Sequence, residues 1–180
     1  YLSLPGTNEP LFYKDSCLVT ENGDSSFPVQ GSIIDFLQED TGKQKKGTDQ
    51  LEFWESDIPN FRSCVHPVQV LFAEQRFTYL DKMIIWREID NALDIGCGNG
   101  VGTLSLKKRV TNIFGLDMSK NLLSQLPDGV VGHRGDATRL PLKDKSVDFS
   151  MAWEIIHHIK DPLSILTEMR RVTRKWMVIF

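Results

Sequence analysis

The sequence predicts an α/β protein in which a doubly wound, mostly parallel sheet follows a small N-terminal β module. Three observations carry this prediction. From about residue 91 onward, short apolar segments alternate with helical stretches, which is typical of a parallel sheet with helices on both faces. Acidic residues and glycines follow several of these segments, and open parallel sheets bind ligands at the carboxyl ends of their strands. Before residue 39, strand-like pieces are separated by turn signals instead.

The N-terminal module is predicted over residues 1–38. Its turn signals include Asn22-Gly23, the commonest hairpin dipeptide. We expect its strands at residues 11–13, 17–20 and 33–37. Residues 39–66 are expected to form a linker, because the first part of that segment contains two glycines and no large apolar residue.

The larger domain is predicted over residues 67–180. Pro67 suits the first position of a helix that should run to about Trp86. The apolar face of this helix would comprise Leu71, Phe72, Phe77, Leu80, Met83 and Ile84. The last helix should begin after an Asp161 cap, with Pro162 at its first position. Its core face would comprise Leu163, Leu166, Met169 and Val172.

Buried strands of the parallel sheet are predicted at residues 92–95, 113–116, 130–134, 147–153 and 176–180. The chain begins with Tyr1 and ends inside the last apolar segment, so we interpret it as a fragment whose sheet is truncated after about five strands. The outer edge of such a last strand would present unpaired N–H and C=O groups. This predicts self-association, unless the N-terminal module covers that edge.

Composition excludes several classes of protein. The chain has 180 residues, 41% hydrophobic and 25% charged, with a net charge of −3. That balance argues against a nucleic-acid binder that depends on overall basicity, although it leaves a local basic patch open. No apolar run reaches the roughly 18 residues that a membrane helix needs, so we expect no membrane contact. Three scattered cysteines (Cys17, Cys64 and Cys97) suggest neither disulfides nor a metal site, and predict the cytoplasm.

A glycine-rich loop follows the first strand of the larger domain. Asp94 is followed, after one spacer, by glycines at 96, 98 and 100. Glycines let the backbone turn tightly and bring a ligand against main-chain N–H groups. The dinucleotide fingerprint G-x-G-x-x-G does not fit, because its third glycine would fall on Val101 or Thr103. The pattern favours a ligand that meets a carboxylate and a loop backbone, although such a run can also be a simple turn.

A second acid ends the next strand. Asp117 lies 23 residues after Asp94, where it can accept hydrogen bonds from two ribose hydroxyls. The alternative is an N-cap acid for a helix over residues 119–126, but Ser119 is placed to cap that helix itself.

A third acid, Asp136, lies in Gly135-Asp136-Ala137 after the third strand. Its carboxylate could accept from the exocyclic amine of an adenine, and Met118 offers an apolar face to such a ring. The alternative for Asp136 is an Asx turn.

The fourth strand leads into Glu154 and the pair His157-His158. Adjacent histidines suggest a general base or a metal site. Neighbouring side chains point in different directions, however, and no carboxylate or Cys ligand is spaced for zinc, so we expect no metal there. These three residues are candidate bases by position only, and we assign no catalytic residue.

Residues from about 67 to 180 resemble a class I S-adenosylmethionine-dependent methyltransferase of the branch called type 11. The resemblance lies in four ordered motifs: residues 94–100, Asp117, residues 135–137, and residues 147–159 with the Lys160-Asp161-Pro162 that follows. It implies a Rossmann-like sheet of seven strands, of which this sequence would supply five.

The resemblance also implies roles for individual residues. Asp94 and the loop of Gly96 and Gly98 would hold the methionine end of S-adenosylmethionine, and Asp117 would hold its ribose. The residues expected around the adenine are Met118, Asp136 and Ala137, and Trp153 would lie beside the methyl-donor end.

The N-terminal module is similar to the zinc-binding module that precedes the methyltransferase domain in bacterial ribosomal-RNA guanine methyltransferases. In that module a C-P-x-C pair binds the metal, whereas Leu4 and Thr7 occupy those positions here and Thr20 stands near the second pair. We therefore expect a β scaffold that holds no zinc.

The sequence as a whole predicts an enzyme that transfers the sulfonium methyl group to an unidentified acceptor. A small molecule is favoured and RNA stays open. Two alternatives belong to other classes. One is an inactive protein that binds the cofactor or a partner, and the other is a nicotinamide-dependent oxidoreductase, which the failed fingerprint disfavours.

Overall fold

The computed structural model describes residues 1–37 and 67–180. The linker expected over residues 39–66 lies outside the described residues. The domain boundaries proposed from the sequence therefore stay a prediction.

The described strands form one sheet in the order β1-β2-β3-β4-β7-β6-β5-β8-β9. Their bounds are β1 (Phe12–Lys14), β2 (Cys17–Val19), β3 (Ser26–Gln30), β4 (Ile33–Asp35), β5 (Asn91–Ile95), β6 (Asn112–Asp117), β7 (Val130–Arg134), β8 (Val147–Ala152) and β9 (Thr173–Ile179). Strands β5 to β9 pair in parallel, whereas β1 to β4 pair antiparallel with one another. The predicted fold class, with its small N-terminal β module, is confirmed.

The N-terminal strands continue the sheet at the β7 side. Strand β4 runs parallel to β7, with Ile33 opposite Gly132 and Asp35 opposite Arg134. The suggestion that the module could cover the edge of the last strand is therefore wrong, because β9 is at the opposite end of the described sheet. The pairing between β4 and β7 is a tertiary contact that no local pattern in the sequence indicated.

The helices are α1 (Pro67–Leu80), α2 (Val101–Lys107), α3 (Lys120–Leu123) and α4 (Pro162–Val172), with 3₁₀ turns at Trp86–Glu88 and Ile156–His158. Two predicted caps are confirmed. The Ser119 side chain accepts from the N–H of Leu122, and Asp161 accepts from the N–H of Leu163. Helix α3 is nevertheless shorter than the expected 119–126.

Helix α1 ends at Leu80 instead of reaching Trp86, because tertiary contacts turn the chain. The Asp81 carboxylate accepts hydrogen bonds from the indole of Trp86 at 2.6 Å and from the guanidinium of Arg109 at 2.7 Å. Part of the predicted apolar face is consequently wrong. Of its members, Phe77, Leu80 and Ile84 are buried, whereas Leu71, Phe72 and Met83 are exposed.

The core face of α4 also differs at its first turn. Leu163 is 72% exposed, and Ile165 is buried in its place together with Met169 and Val172. Residues 165, 169 and 172 recur at the spacing of one helical face, and position 163 points away from it.

Apolar clusters cover both faces of the parallel sheet. One packs Phe77 of α1 against Phe149 and Met151 of β8. The other packs Ile165 and Met169 of α4 against central strand residues such as Ile95. A third cluster, Leu18, Phe27, Ile34 and Phe36, lies beneath the N-terminal strands.

The resemblance of the N-terminal module to a zinc-binding module stays a prediction, and two of the positions compared for it, Thr7 and Thr20, carry hydroxyl groups. Thr7 Oγ1 donates to the carbonyl of Leu4 at 2.8 Å, and Thr20 Oγ1 accepts from the N–H of Ser25 at 3.1 Å. Within residues 1–37 and 67–180, no three His, Cys, Asp or Glu side chains are grouped so that they could hold a metal ion. In the same part of the chain, no helix is both long and apolar enough to cross a membrane.

Candidate functional site

The candidate site lies at the carboxyl ends of four neighbouring strands. Asp94 belongs to the end of β5, Asp117 ends β6, Asp136 follows β7 and Trp153 follows β8. The adjacency of β7, β6, β5 and β8 in the sheet places these positions along one edge. The parallel order thus brings together residues that are separated by up to 59 positions in the sequence.

The loop after β5 needs glycine for two separate reasons. Gly96, Gly98 and Gly100 have φ angles of +69°, +53° and +89°, in the left-handed region that other residues rarely adopt. A Cβ atom at Gly96 would also lie 2.5 Å from Cδ1 of Ile155. At Gly98, by contrast, the nearest atom would be a Leu122 methyl at 4.0 Å. Gly96 therefore permits close packing against Ile155, whereas an added Cβ at Gly98 would make ordinary van der Waals contact, and only the left-handed φ favours glycine there.

Asp94 is a deeply buried carboxyl group, 1% exposed. Its Oδ2 accepts from the hydroxyl of Thr103 at 2.5 Å, whereas its Oδ1 has no hydrogen-bond partner among the described residues. Burial raises the pKa of Asp94 to about 7; the Thr103 hydrogen bond opposes this rise, and the charge of Asp117 adds to it. A cation placed at Oδ1 would stabilise the ionised form of this side chain.

Asp117 is held at the glycine loop by main-chain N–H groups. Its Oδ2 accepts from the N–H of Gly98 at 2.9 Å, and its Oδ1 accepts from the N–H of Ser119 at 2.9 Å. The carbonyl of Leu116 accepts from the N–H groups of Gly96 and Cys97. These contacts lock the first two strand ends into one rigid unit. Each carboxylate oxygen is held by one of these two bonds, so together they fix the orientation of the Asp117 side chain.

The residues predicted around an adenine lie beside this unit. Met118 is 36% exposed and Ala137 is buried. Asp136 Oδ1 accepts from both the N–H and the hydroxyl of Thr138, each at 2.8 Å. The structure therefore contains the turn-forming contact that was the alternative interpretation of Asp136, and its role toward a ligand stays a prediction.

Trp153 forms an aromatic wall at the β8 end. Its ring centroid lies 5.1 Å from that of Phe180 and 6.4 Å from that of Phe77, and the Arg76 guanidinium lies 4.6 Å over its face. Gly102 allows this approach, since a Cβ there would lie 3.1 Å from the Trp153 ring. Helix α1 thus supplies two of these three contacts, from Phe77 and Arg76.

The three candidate bases lie next to this wall and do not form one cluster. Glu154 pairs with Arg76 at 2.9 Å, and its φ of +52° is left-handed. His157 and His158 are exposed on a 3₁₀ turn, with ring centroids 4.0 Å apart. The arrangement leaves the assignment of a catalytic residue open.

Sequence reasoning missed Thr103 and Arg134. Thr103 sits one turn into α2, and the only usable signal in the sequence was its hydroxyl group three residues after the glycine loop. Arg134 Nε donates to the carbonyl of Met118 at 3.1 Å, a contact that had no signal in the sequence.

Comparison with known proteins identifies the class of this domain. Residues 93–178 match the type 11 family described as "Methyltransferase domain". The expected resemblance to class I methyltransferases of the type 11 branch is confirmed over these residues.

Individual relatives have more specific names. A demethylmenaquinone methyltransferase from Bacillus velezensis is 34% identical over 99 residues, which cover 49% of this chain and 42% of that protein. A ubiquinone biosynthesis O-methyltransferase from Hahella chejuensis is 24% identical over 151 residues, 78% of this chain and 60% of that protein. The chain spans about half the length of the curated relatives it matches.

Solved structures show the same fold. The crystal structure of a SAM-dependent methyltransferase from Thermotoga maritima, described as a possible histamine N-methyltransferase, has a TM-score of 0.50 and 27% identity. It covers 62% of this chain and 53% of that one. The YcgJ protein from Bacillus subtilis has a TM-score of 0.52 and 21% identity, covering 59% of this chain and 49% of that one.

Proposed function

We propose that the protein is an S-adenosylmethionine-dependent methyltransferase whose acceptor is a small molecule. The observation that carries the proposal is the joint placement of two carboxylates around one glycine loop. Asp117 accepts from the loop N–H of Gly98. Oδ1 of Asp94, which has no hydrogen-bond partner within residues 1–37 and 67–180, is buried at the end of the adjacent strand.

The residues present fit this cofactor. Among the described residues, Oδ1 of Asp94 is a buried carboxylate oxygen without a partner, which matches an ammonium group. A buried carboxylate is costly when it is alone, and a bound ammonium group would offset that cost. The loop has no side chain at residues 96, 98 and 100, so a ligand could approach its main chain closely. Asp94, Gly96 and Gly98 would hold the methionine end, and Asp117 would hold the ribose.

The chemistry demands positioning more than acid–base help. When bound, S-adenosylmethionine supplies a methyl group on a sulfonium, which leaves as a neutral thioether. The protein's task is to hold the acceptor in line, at ~3–3.5 Å from the methyl carbon. Trp153 would exclude water beside the methyl-donor end, with Met118, Asp136 and Ala137 around the adenine. A general base is required only for an acceptor that must lose a proton.

Two named relatives support a small-molecule acceptor, because the demethylmenaquinone and ubiquinone enzymes are named for quinone compounds. RNA stays open as the second candidate acceptor, because the net charge of −3 does not exclude a local basic patch. The free thiols Cys17 and Cys97 suit a reducing compartment, so we include a cytoplasmic location in the proposal.

Calorimetry with three ligands tests the proposal. We expect binding of S-adenosylmethionine and of S-adenosylhomocysteine, and no binding of NAD. Binding of NAD alone would identify an oxidoreductase instead. Incubating the longest available form of the protein with methyl-labelled cofactor and cell extract then separates an active enzyme from an inactive cofactor-binding protein, and shows whether the label enters small molecules or RNA.

Self-association through β9 is a separate part of the proposal. This strand is outermost in the described sheet, and Trp176, Met177 and Ile179 on it are exposed. Light scattering over a concentration series should show a mass that rises with concentration. A constant monomer mass would contradict this part alone.

A further inference from the structure

Strand β4 of the N-terminal module meets the candidate site through one ion pair. Asp35 lies directly opposite Arg134 in the parallel β4–β7 register. Its Oδ2 is 3.0 Å from Nη1 of Arg134, and the two side chains are only 19% and 18% exposed. The pair therefore connects the module to the last residue of β7, immediately before Gly135-Asp136-Ala137.

The same guanidinium also reaches the loop after β6. Arg134 Nε donates to the carbonyl of Met118 at 3.1 Å. A guanidinium is planar and its donors point in fixed directions, so holding one edge with a carboxylate also orients the other edge. Asp35 thereby helps to set where Met118 lies, although the two side chains belong to different parts of the fold.

The backbone of β4 adds a second constraint on the same region. The N–H of Phe36 donates to the carbonyl of Arg134 at 2.8 Å, and the N–H of Leu37 donates to Oδ1 of Asp35 at 3.1 Å. Phe36 is buried, and a Cβ at Gly135 would lie 3.8 Å from the Cβ of Phe36. The chain that leads into Asp136 is thus packed against β4.

We infer that Asp35 is a positioning residue for the adenine end of the cofactor site: through Arg134 it holds the Met118 carbonyl, and with it the rim against which the ring binds. The inference rests on the proposed function. It makes the N-terminal module a structural part of cofactor recognition in this protein.

The test replaces Asp35 by Asn and uses Asp24→Asn as the matched control. Asp24 is an exposed acid in the same module, so the control removes the same charge without touching the site. We expect the Kd of S-adenosylhomocysteine to rise about three- to tenfold in Asp35→Asn and to stay unchanged in Asp24→Asn.

A second readout separates positioning from a general loss of stability. Wild-type protein should prefer S-adenosylhomocysteine over its deaminated analogue, S-inosylhomocysteine, because only the former carries the adenine amine. The ratio of the two Kd values should fall in Asp35→Asn. A purely structural role would lower the melting temperature and leave this ratio unchanged, which would overturn the inference.

Arg134→Lys keeps the positive charge but loses the fork that serves Asp35 and Met118 together. It should reproduce the change in the ratio, and the double variant should be no worse than Arg134→Lys alone. If the effects of the two substitutions on the Kd ratio add in the double variant, the inference is overturned. If Asp35→Asn fails to fold, the Kd ratio of Arg134→Lys alone tests the inference. Failure of the wild-type protein to bind S-adenosylhomocysteine would instead contradict the proposed function.

Discussion

The two ends of the candidate site are built in different ways. The end at β5 is a rigid loop whose glycines and buried Asp94 come from one continuous stretch of sequence. The end at β7 depends on residues from distant parts of the chain, since Arg134 contacts both Asp35 and Met118. One end is therefore specified locally, whereas the other is assembled by the pairing of β4 with β7.

Each end of the site contains a buried titratable group, and burial shifts the two pKa values in opposite directions. Asp94 is a buried acid whose pKa is raised to about 7, so its burial is most costly when the solution is alkaline. His133, on β7, is fully buried between Phe36 and Phe114, with both ring centroids 5.5 Å from its own. Burial lowers the pKa of His133 to about 4, so its burial is costly in acid. The comparison predicts that acid weakens the β7 end and that alkali weakens the β5 end of the ligand-free protein.

The largest expected effect is on the loop itself. Gly96→Ala places a Cβ on a residue with a left-handed φ and only 2.5 Å from Cδ1 of Ile155. We expect the substitution to lower the free energy of unfolding by about 2–4 kcal/mol and to abolish measurable cofactor binding. Gly31→Ala is the matched control. Gly31 has a φ of +60°, and among the described residues no atom lies within 4 Å of an added Cβ, so this substitution should cost only about 1–2 kcal/mol. Equal losses in chemical denaturation would show that packing against Ile155 is unimportant.

The next largest effect concerns His133. A folded-state pKa near 4, below the ordinary 6.5, means that stability is complete above pH 6.5 and is lost as pH falls toward 4. His133→Leu removes this loss. The free energy of unfolding of the variant minus that of wild type should therefore increase by about 3 kcal/mol when the pH is lowered from 7 to 4. His157→Leu, at an exposed histidine, is the control. Urea denaturation at both pH values measures the difference, and a pH-independent difference would mean that His133 is not buried in its neutral form.

The ribose assignment predicts a smaller but clear effect. Asp117→Ala should remove charge-assisted hydrogen bonds worth about 1.5–3 kcal/mol each and weaken cofactor binding about tenfold or more. Asp128→Ala, at an exposed acid beyond α3, should leave affinity unchanged. Calorimetry on folded variants measures both, and equal affinity in wild type and Asp117→Ala would remove Asp117 from the site.

The smallest effect tests how Asp94 meets a cation. Because the pKa of Asp94 is about 7, binding an ammonium group below that pH must displace a proton from the carboxyl group. Affinity should fall by up to about tenfold for each pH unit below 7, with close to one proton released. Calorimetry in two buffers of different ionisation enthalpy measures that release. Asp94→Asn should bind more weakly and without pH dependence; unchanged proton release in that variant would assign the proton to another group.

A metal measurement checks the N-terminal module separately. Neither Leu4 nor Thr7 offers a thiolate to a zinc ion, so elemental analysis should find less than one zinc per chain. One tightly held zinc per chain would show that the module was misinterpreted.

The sequence by itself determined the central part of this protein. Alternating apolar segments predicted β5 to β9, and the acids and glycines after them predicted which strand ends would meet, because parallel strands place their carboxyl ends on one edge. Local capping rules likewise predicted Ser119 and Asp161, since a cap is a contact within a few residues of the chain.

Only the tertiary structure decided how the remaining parts join. The end of α1 depends on Arg109 contacting Asp81, and the support of the β7 end depends on Asp35 meeting Arg134, across 28 and 99 residues of sequence. The burial that shifts the pKa of Asp94 and His133 likewise comes from layers packed on both faces of the sheet. Such effects arise from distance and desolvation in the folded state, and periodicity along the chain carries no information about either.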